Sequence, residues 1–264
     1  MLISGSNVLL TGATGGLGHC IARELHGAGA RLTLTGRRAD TLDDLARETG
    51  AAAIAADLAD RDALNRLIER SGDTDILVAN AALPASGHLH SFSSEVIDKA
   101  LDVNVRAVIL LARALSEQMT IRGRGHIVVM SSLAGKSGQA GSSIYSATKF
   151  ALRGFSQSLR ADLRSAGVGV SCILPGFVSD AGMYADSGVE LPRGVGTSTP
   201  QQVADAVVKA ITRNRGEIVV APVPMRASAV AAGIAPAIAA AVARKAGGQS
   251  VSDDFASGQK EKRV

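Results

Sequence analysis

Short apolar runs alternate with longer amphipathic segments along most of this chain of 264 residues. The apolar runs are rich in Val, Ile, Leu and Ala and are of strand length, which predicts strands at 7–11, 31–35, 52–56, 76–79, 125–130, 169–174 and 218–220. The segments between them place apolar residues three and four positions apart, which predicts helices at 17–28, 39–48, 60–71, 95–122, 143–165 and 200–214.

Alternation of strands with helices is typical of a parallel sheet that is covered by helices on both faces. Most of the predicted strands lack polar alternation, so both of their faces are expected to be buried. The predicted fold class is therefore α/β: a three-layer, doubly wound parallel sheet of Rossmann type, with about seven strands in a single domain. That domain is expected to span residues 1–225.

Two stretches depart from this pattern. Residues 177–199 are rich in Gly and Ser and follow a predicted strand, and a loop of this length predicts a substrate lid. Residues 226–246 predict an Ala-rich C-terminal helix, and residues 247–264 a flexible polar tail. The run 227–242 is too short and too interrupted to span a membrane; packing on the core or a second subunit is favoured, while peripheral contact with a membrane surface stays open.

The composition is that of an ordinary globular protein, with 46% hydrophobic residues and a formal net charge of +4. Acidic and basic residues are interspersed, so nothing favours a nucleic-acid partner. Two cysteines are too few for a disulfide framework, and the first residues lack the basic and apolar pattern of a secretory signal. A cytoplasmic protein is expected.

A glycine-rich turn lies directly between the first predicted strand and the first predicted helix, with the sequence Thr11-Gly12-Ala13-Thr14-Gly15-Gly16-Leu17-Gly18. Missing β-carbons let backbone amides approach a diphosphate at a helix N-terminus. A tight strand–helix connection would also use glycines, but the position in a βαβ unit favours dinucleotide binding.

The second predicted strand ends at Gly36-Arg37-Arg38, where an NAD site would carry a carboxylate for the ribose 2′-hydroxyl. Gly36 leaves room there, and the Arg37 guanidinium can contact a 2′-phosphate, so NADP(H) is the preferred cofactor and NAD(H) stays open. A solvated arginine pair is the other interpretation. Asp57, after the third strand, is suited to accept a hydrogen bond from the adenine amino group, to cap the next helix, or both.

Tyr145 and Lys149 lie four residues apart, which places them on one face of a predicted helix. A neighbouring ammonium is expected to lower the pKa of the phenol, so that Tyr145 becomes a proton relay. Ser131 and Ser132 end the preceding strand, at the edge where such sheets bind ligands. Asn104 is a polar residue in an apolar helical stretch and is expected to have a buried partner.

Taken together and in this order, these motifs resemble the short-chain dehydrogenase/reductase family. The resemblance covers about residues 5–225 and rests on TGATGGLG at 11–18, Asp57, ANAA at 79–82, Asn104, Ser132, YSATK at 145–149 and Pro175-Gly176. It implies a Rossmann-type sheet with the nicotinamide over the strand ends.

The resemblance also implies roles for single residues. Ser132 would hold the carbonyl oxygen, Tyr145 would donate its proton as hydride arrives, and Lys149 would bind the nicotinamide ribose and tune Tyr145, while Asn104 would support a water relay to Lys149. Ser132 is preferred to Ser131 because the family's serine is the second of the pair. The cofactor-binding set comprises Gly12, Thr14, Gly15, Gly16, Leu17, Gly18, Gly36, Arg37, Arg38, Asp57, Leu58, Asn80, Ala81, Ala82, Tyr145, Lys149, Pro175, Gly176 and Val178.

The chain departs from the family pattern at three places. Ala79-Asn80-Ala81-Ala82 stands where the family has Asn-Asn-Ala-Gly, which alters the packing under the adenosine ribose. Ser179-Asp180 stands where a threonine that contacts the cofactor is common. The Ala-rich C-terminus replaces a segment that many members use in tetramer contacts; the expected assembly is a homodimer or a homotetramer.

The expected function is hydride transfer between NADP(H) and a small-molecule carbonyl or alcohol. Phe177, Met183, Tyr184 and Leu191 in the predicted lid favour a lipophilic ketone or aldehyde. The alternative is a protein that senses NADP(H) without turnover and regulates a partner. No metal site is predicted, because His88 and His90 lack Cys or carboxylate partners in the sequence.

Overall fold

A computed structural model describes residues 1–189, 191, 195–235, 237 and 241. Its strands are β1 (Asn7–Thr11), β2 (Arg31–Gly36), β3 (Ala52–Ala55), β4 (Ile76–Ala79), β5 (Gly125–Met130), β6 (Val168–Pro175) and β7 (Glu217–Val220). Its α-helices are α1 (Gly16–Gly27), α2 (Ala39–Thr49), α3 (Arg61–Glu69), α4 (Ser94–Leu101), α5 (Ala107–Ile121), α6 (Ser143–Asp162), α7 (Pro200–Thr212) and α8 (Val223–Ile234).

The strands form one parallel sheet of seven strands in the order β3-β2-β1-β4-β5-β6-β7. The chain adds β2 and β3 on one side of β1 and then returns to add β4 on the other side. The carboxyl ends of β1 and β4 therefore frame the crevice in which open α/β sheets bind ligands. The predicted fold class is confirmed, and every predicted strand is present to within one or two residues at each end.

The sheet separates two apolar layers. Val8 and Leu10 of β1 face one layer, which includes residues of α1, α2 and α7. Leu9, between them, faces the other layer, which includes residues of α3, α5 and α6. All three side chains are buried, because successive residues of a strand point to opposite faces and helices cover both. This packing explains why the strands have continuous apolar sequences.

The prediction of a single helix at 95–122 is wrong. The chain forms α4, then a π-helical turn at Asp102–Arg106, then α5. At the end of this turn the N–H of Ala107 donates to the carbonyl of Asp102, five residues earlier. Asn104 lies inside the turn and is fully buried. The apolar pattern runs through this segment without a break, so periodicity alone does not indicate the wider turn.

The predicted lid is held at its base. Val178 forms an isolated parallel bridge with Ser198, and the N–H of Ser179 donates to the Ser198 carbonyl at 2.9 Å. Between these ends the described part of the loop includes a short 3₁₀ turn at Ala185–Ser187, and the rings of Phe177 and Tyr184 lie 5.1 Å apart. Residues 190 and 192–194 lie outside the described residues.

The predicted C-terminal helix begins earlier than expected, at Val223 rather than at residue 226. Its described part ends at Ile234, and Ala229 packs with Leu133 and Ala221. The polar tail predicted at 247–264 lies outside the described residues. Among the helices that the structure describes, none combines the length and the apolar character needed to cross a membrane.

A buried histidine joins β5 to β6. His126 is 1% exposed, and its Nε2 lies 2.8 Å from the hydroxyl of Ser171. That hydroxyl donates its own proton to the Arg215 carbonyl at 2.6 Å, so His126 Nε2 must carry the hydrogen in their bond. Burial lowers the pKa of His126 to about 3, with smaller effects of the chain's N-terminal ammonium and Arg160. His126 is therefore neutral in the folded protein.

This histidine makes stability depend on pH. Because the pKa of His126 is about 3 in the folded state and that of an unfolded histidine is about 6.5, only the unfolded chain takes up this proton between those values. The free energy of unfolding is expected to fall as the pH drops from 6.5 to 4.5, with His126 contributing up to about 1.4 kcal/mol per pH unit. Urea denaturation of His126→Gln should show a shallower slope than the wild type, whereas His90→Gln, at an exposed position, should keep the wild-type slope. Equal slopes for His126→Gln and the wild type would contradict this assignment.

Candidate active site

The glycine turn after β1 packs directly against the loop after β4. Gly12 has a φ of +66°, and a β-carbon there would lie 2.7 Å from the Cα of Ala81. A β-carbon at Gly18 would lie 2.1 Å from the Gly12 carbonyl oxygen. Gly12 thus meets both conditions that favour glycine, namely a left-handed backbone and a close backbone neighbour. Gly12 and Gly18 both need a missing β-carbon, and their contact with a cofactor stays a prediction.

Helix α1 begins with unpaired donors. Its N-cap is Gly15, which has no side chain to accept from the first amides, and no acidic residue lies in the first turn. By contrast, α3 is capped by the Asp60 carboxylate, which accepts from the N–H groups of Asp62 and Ala63. Free amides and the positive end of the helix dipole favour an anion. The turn therefore fits a dinucleotide diphosphate.

The loop after β4 supports the glycine turn from behind. The amide of Asn80 donates through Nδ2 to the carbonyls of Thr11 and Gly12, both at 3.2 Å. In return, Thr11 Oγ1 accepts from the N–H groups of Asn80 and Ala81, both at 3.0 Å. The departure at ANAA thus leaves a single asparagine that ties the two loops together. Thr11 was not among the predicted site residues, although its position just before Gly12 was visible in the sequence.

The end of β2 closes one side of the crevice. A β-carbon at Gly36 would lie 2.8 Å from Cγ2 of Thr14, so Gly36 fits tightly against the turn. Arg38 donates to the Thr14 carbonyl and thereby ties the start of α2 to the turn. Arg37 is exposed beside it. Contacts of Arg37 and Arg38 with the adenosine ribose stay a prediction, while Arg38 also ties α2 to the turn.

Asp57 does not cap α3. Asp60 fills that position, and Asp57 Oδ1 instead accepts from the N–H of Ala59 at 3.0 Å within the turn after β3. The helix-capping interpretation of Asp57 is wrong, because α3 begins at Arg61 and its N-cap position is therefore Asp60. The adenine-contact interpretation stays a prediction. Leu58 is buried in the core beneath it.

Ser131 and Ser132 have different partners. Ser131 donates to the Lys149 carbonyl at 2.8 Å and is buried. The Ser132 hydroxyl accepts from the N–H of Ala134 at 3.2 Å and donates to the Pro175 carbonyl at 3.4 Å, and it lies close enough to the Tyr145 hydroxyl to affect the pKa of the phenol. The structure thus places Ser132 beside the phenol, as predicted, and makes Ser131 a support for helix α6.

Lys149 lies within the same group. It is 3% exposed, its Nζ donates to the Met130 carbonyl at 2.9 Å, and Nζ is 5.5 Å from the centre of the Tyr145 ring. Burial lowers the pKa of Lys149 to about 8. An ammonium therefore persists near the phenol at neutral pH. A β-carbon at Gly135 would lie 2.6 Å from the Lys149 carbonyl oxygen, so Gly135 also has to lack a side chain.

The electrostatics of Tyr145 differ from the expectation. Burial raises the pKa of Tyr145, and the nearby Ser132 hydroxyl offsets this only in part. The expectation that Lys149 lowers this pKa overall is wrong for the structure, because Nζ bonds to Met130 and burial dominates. The phenol is therefore protonated at neutral pH, which suits a proton donor.

Asn104 has the buried partner that was predicted. Its Oδ1 accepts from the N–H of Leu83 at 2.6 Å, and its Nδ2 donates to the Leu83 carbonyl at 3.0 Å. These two bonds fix the π-helical turn to the loop after β4, three residues beyond Asn80. These bonds use one donor hydrogen and one acceptor lone pair of the Asn104 amide, and the water relay to Lys149 stays a prediction.

The segment after β6 borders the same crevice. Val178 is buried, and a β-carbon at Gly176 would lie 3.0 Å from Cβ of Ala221. A β-carbon at Gly16 would lie 2.6 Å from Cβ of Ala181, so the base of the lid reaches the glycine turn. Leu17 lies 3.6 Å from the position of a β-carbon at Gly182. Among the described residues, no group of three or more His, Cys, Asp and Glu side chains could hold a metal ion.

Comparison with known proteins shows to which family this chain belongs. The family model described as short chain dehydrogenase matches residues 6–190. The chain is 37% identical over 235 residues to the ketoacyl reductase HetN of Nostoc sp. (strain PCC 7120), covering 86% of this chain and 82% of that protein.

Two solved structures have the same fold. A short-chain dehydrogenase from Sphingobium yanoikuyae in complex with NADPH superimposes with a TM-score of 0.74 at 28% identity, covering 81% of this chain and 87% of the other. A metagenomic short-chain oxidoreductase in complex with NADP gives 0.70 at 32% identity, covering 84% and 99%. The chain therefore belongs to the short-chain dehydrogenase/reductase family and is a dehydrogenase/reductase acting on CH–OH groups.

Proposed function

We propose that the protein is an NADP(H)-dependent oxidoreductase that interconverts a lipophilic ketone or aldehyde with the corresponding alcohol by hydride transfer. The observation that carries this proposal is the Lys149 ammonium 5.5 Å from the Tyr145 ring, with the Ser132 segment tied to the same helix by the bond from Ser131 to the Lys149 carbonyl. These groups lie at the carboxyl edge of the sheet, at the crevice that the glycine turn borders. A proton donor and a dinucleotide cradle thus share one crevice.

In this proposal each residue acts on a stated atom. The bound nicotinamide supplies the hydride. The Ser132 hydroxyl donates a hydrogen bond to the substrate carbonyl oxygen and orients it. The Tyr145 hydroxyl transfers its proton to that oxygen as negative charge develops there. The Lys149 ammonium then stabilises the Tyr145 phenolate until a proton returns, and Asn104 holds the turn that would order a relay water.

We propose a preference for NADP(H) because of the residues at the end of β2. Gly36 leaves no carboxylate where a ribose 2′-hydroxyl would bind, and exposed Arg37 supplies a planar cation for a 2′-phosphate. The relatives from Sphingobium yanoikuyae and the metagenome are described with NADPH and NADP. The diphosphate would take the free amides of residues 16–18, and the nicotinamide would lie beside residues 175–178.

A lipophilic substrate is proposed from the lid. Phe177, Met183, Tyr184, Val189 and Leu191 are partly buried in the described part of this loop. They would cover an apolar chain that extends from the carbonyl carbon held at Ser132. The Nostoc relative carries the name ketoacyl reductase, which makes ketoacyl thioesters the first substrates to test.

We also propose a cellular compartment and an assembly for the enzyme. Cys20 and Cys172 are both free thiols, which suits a reducing cytoplasm. We propose a homodimer as the assembly, because the Ala-rich C-terminus replaces the segment that tetrameric family members use.

Removing the Tyr145 hydroxyl should abolish turnover but not cofactor binding. In Tyr145→Phe the ring and its packing remain, while the proton donor is lost, so kcat is expected to fall by at least about 100-fold. NADPH affinity, measured by nicotinamide fluorescence, should stay within about threefold of the wild type, since the diphosphate site is untouched. Comparable turnover of both proteins would contradict the role of Tyr145. Tight NADPH binding without turnover in the wild type would favour an NADP(H)-sensing protein instead.

Removing the Arg37 guanidinium should weaken NADPH binding selectively. Loss of a bidentate charge-assisted contact is expected to raise the Kd for NADPH by about tenfold or more and to leave the Kd for NADH unchanged. Arg47→Ala is the matched control, because Arg47 is an exposed arginine at the other end of α2 that pairs with Asp44. Fluorescence titration of the three proteins measures this. Tighter NADH than NADPH binding by the wild type would refute the proposed preference.

A further inference from the structure

A partly buried carboxylate joins two segments that come from different parts of the chain. Glu217, the first residue of β7, receives Lys136 Nζ on Oε1 at 2.6 Å and Arg153 Nε on Oε2 at 2.7 Å. The Lys136 side chain is 15% exposed, that of Arg153 29%, and that of Glu217 25%. Each carboxylate oxygen thus has its own cation, and little water reaches the three charges.

Each of the two cations follows a candidate catalytic residue by four positions along the chain. Lys136 follows Ser132 by four residues and ends the short 3₁₀ turn Leu133–Gly135. Arg153 follows Lys149 by four residues on α6, and Lys149 follows Tyr145 by four, so all three share one helix face. Glu217 therefore connects the segment that carries Ser132 with the helix that carries Tyr145 and Lys149.

The charges of this cluster hold Glu217 ionised. Burial favours the neutral acid and raises the pKa of Glu217, but the hydrogen bonds and charges of Arg153 and Lys136 outweigh burial and keep that pKa below its usual range. An ion pair with restricted solvent is stronger and geometrically stricter than an exposed one. The pair between Arg23 and Glu48, by contrast, has side chains that are 56% and 47% exposed and joins α1 to α2 far from Ser132.

Other contacts also hold this turn: Leu133 packs with Ala221 and Ala229, and the N–H of Lys136 donates to the Leu133 carbonyl at 2.9 Å. Ser131 bonds the Lys149 carbonyl and Gly135 packs against it, which places the start of the turn and one point in its middle. The Ser132 hydroxyl itself is held by Ala134 N–H at 3.2 Å and lies 3.4 Å from the Pro175 carbonyl, which are long contacts. The ion pair of Lys136 with Glu217 adds a side-chain connection from the end of this turn to Arg153 of α6.

We propose that Glu217 is a positioning residue: through Lys136 and Arg153 it sets how the Ser132 turn lies against α6, the helix that carries Tyr145 and Lys149. This inference rests on the proposed function of the same site. Glu217 itself touches neither reacting atom. Its effect should therefore appear in the rate of the chemical step and not in cofactor binding.

The first test is steady-state kinetics of Glu217→Gln. Glutamine keeps the size of the side chain but can accept from only one of the two cations, so kcat is expected to fall by about tenfold while the KM and Kd for NADPH stay within about twofold. Glu48→Gln, which breaks the exposed pair, is the matched control and should keep the wild-type kcat. An unchanged kcat in Glu217→Gln, or equal losses in both variants, would overturn the proposal.

A double-mutant cycle distinguishes positioning from general loss of stability. If Glu217 acts through Lys136, the variant Lys136→Met should lower kcat similarly, and the double variant should be no slower than the slower single variant. Additive losses in kcat would show independent effects and would contradict the connection.

Amide hydrogen exchange tests the same connection without turnover. Residues 131–137 are expected to exchange faster in Glu217→Gln and at the wild-type rate in Glu48→Gln. Unchanged exchange in Glu217→Gln would overturn the inference. Absence of turnover in the wild type would overturn the proposed function instead, and the exchange result would still decide on Glu217.

Discussion

The site depends on how closely the backbone after β1 can approach the backbone after β4. Gly12 lies so near Ala81 that a β-carbon would come within 2.7 Å of the Ala81 Cα, and Asn80 then bonds the carbonyls of both Thr11 and Gly12. This approach turns the first amides of α1 toward the crevice at the reversal of strand order. Leu83, three residues after Asn80, anchors Asn104 and with it the π-helical turn. One close contact therefore organises both the phosphate cradle and the segment beside the candidate catalytic group.

The chemistry of the crevice follows from burial as much as from charge. Lys149 is buried with a pKa of about 8, so it is still an ammonium at neutral pH, and it is nearer to losing its proton than an exposed lysine would be. Tyr145 is kept protonated by burial. A neutral phenol beside a cation can release a proton to a substrate oxygen, because the cation stabilises the phenolate that is left. The arrangement of Tyr145 and Lys149 thus suits a proton transfer that is coupled to the proposed hydride transfer.

Much of this could be predicted from the sequence, because the strands are apolar on both faces and the glycines follow the first of them. Elements that depend on distant contacts could not be predicted. The π-helical turn at Asn104 has the same apolar pattern as a regular helix, and its cause is Leu83, a residue 21 positions away. Asp57 and Asp60 are equally plausible caps until the start of α3 is known. The cluster of Lys136, Arg153 and Glu217 joins three elements, and no short motif marks it.

Hydride transfer in this crevice can be measured directly with NADPH that is deuterated at C4. The protein is incubated with this cofactor and a panel of ketoacyl thioesters and aliphatic ketones, and the products are analysed by mass spectrometry. The wild-type protein is expected to form an alcohol that carries deuterium on the former carbonyl carbon. NADPH that binds tightly while no substrate in the panel acquires deuterium would contradict hydride transfer as the function of this crevice.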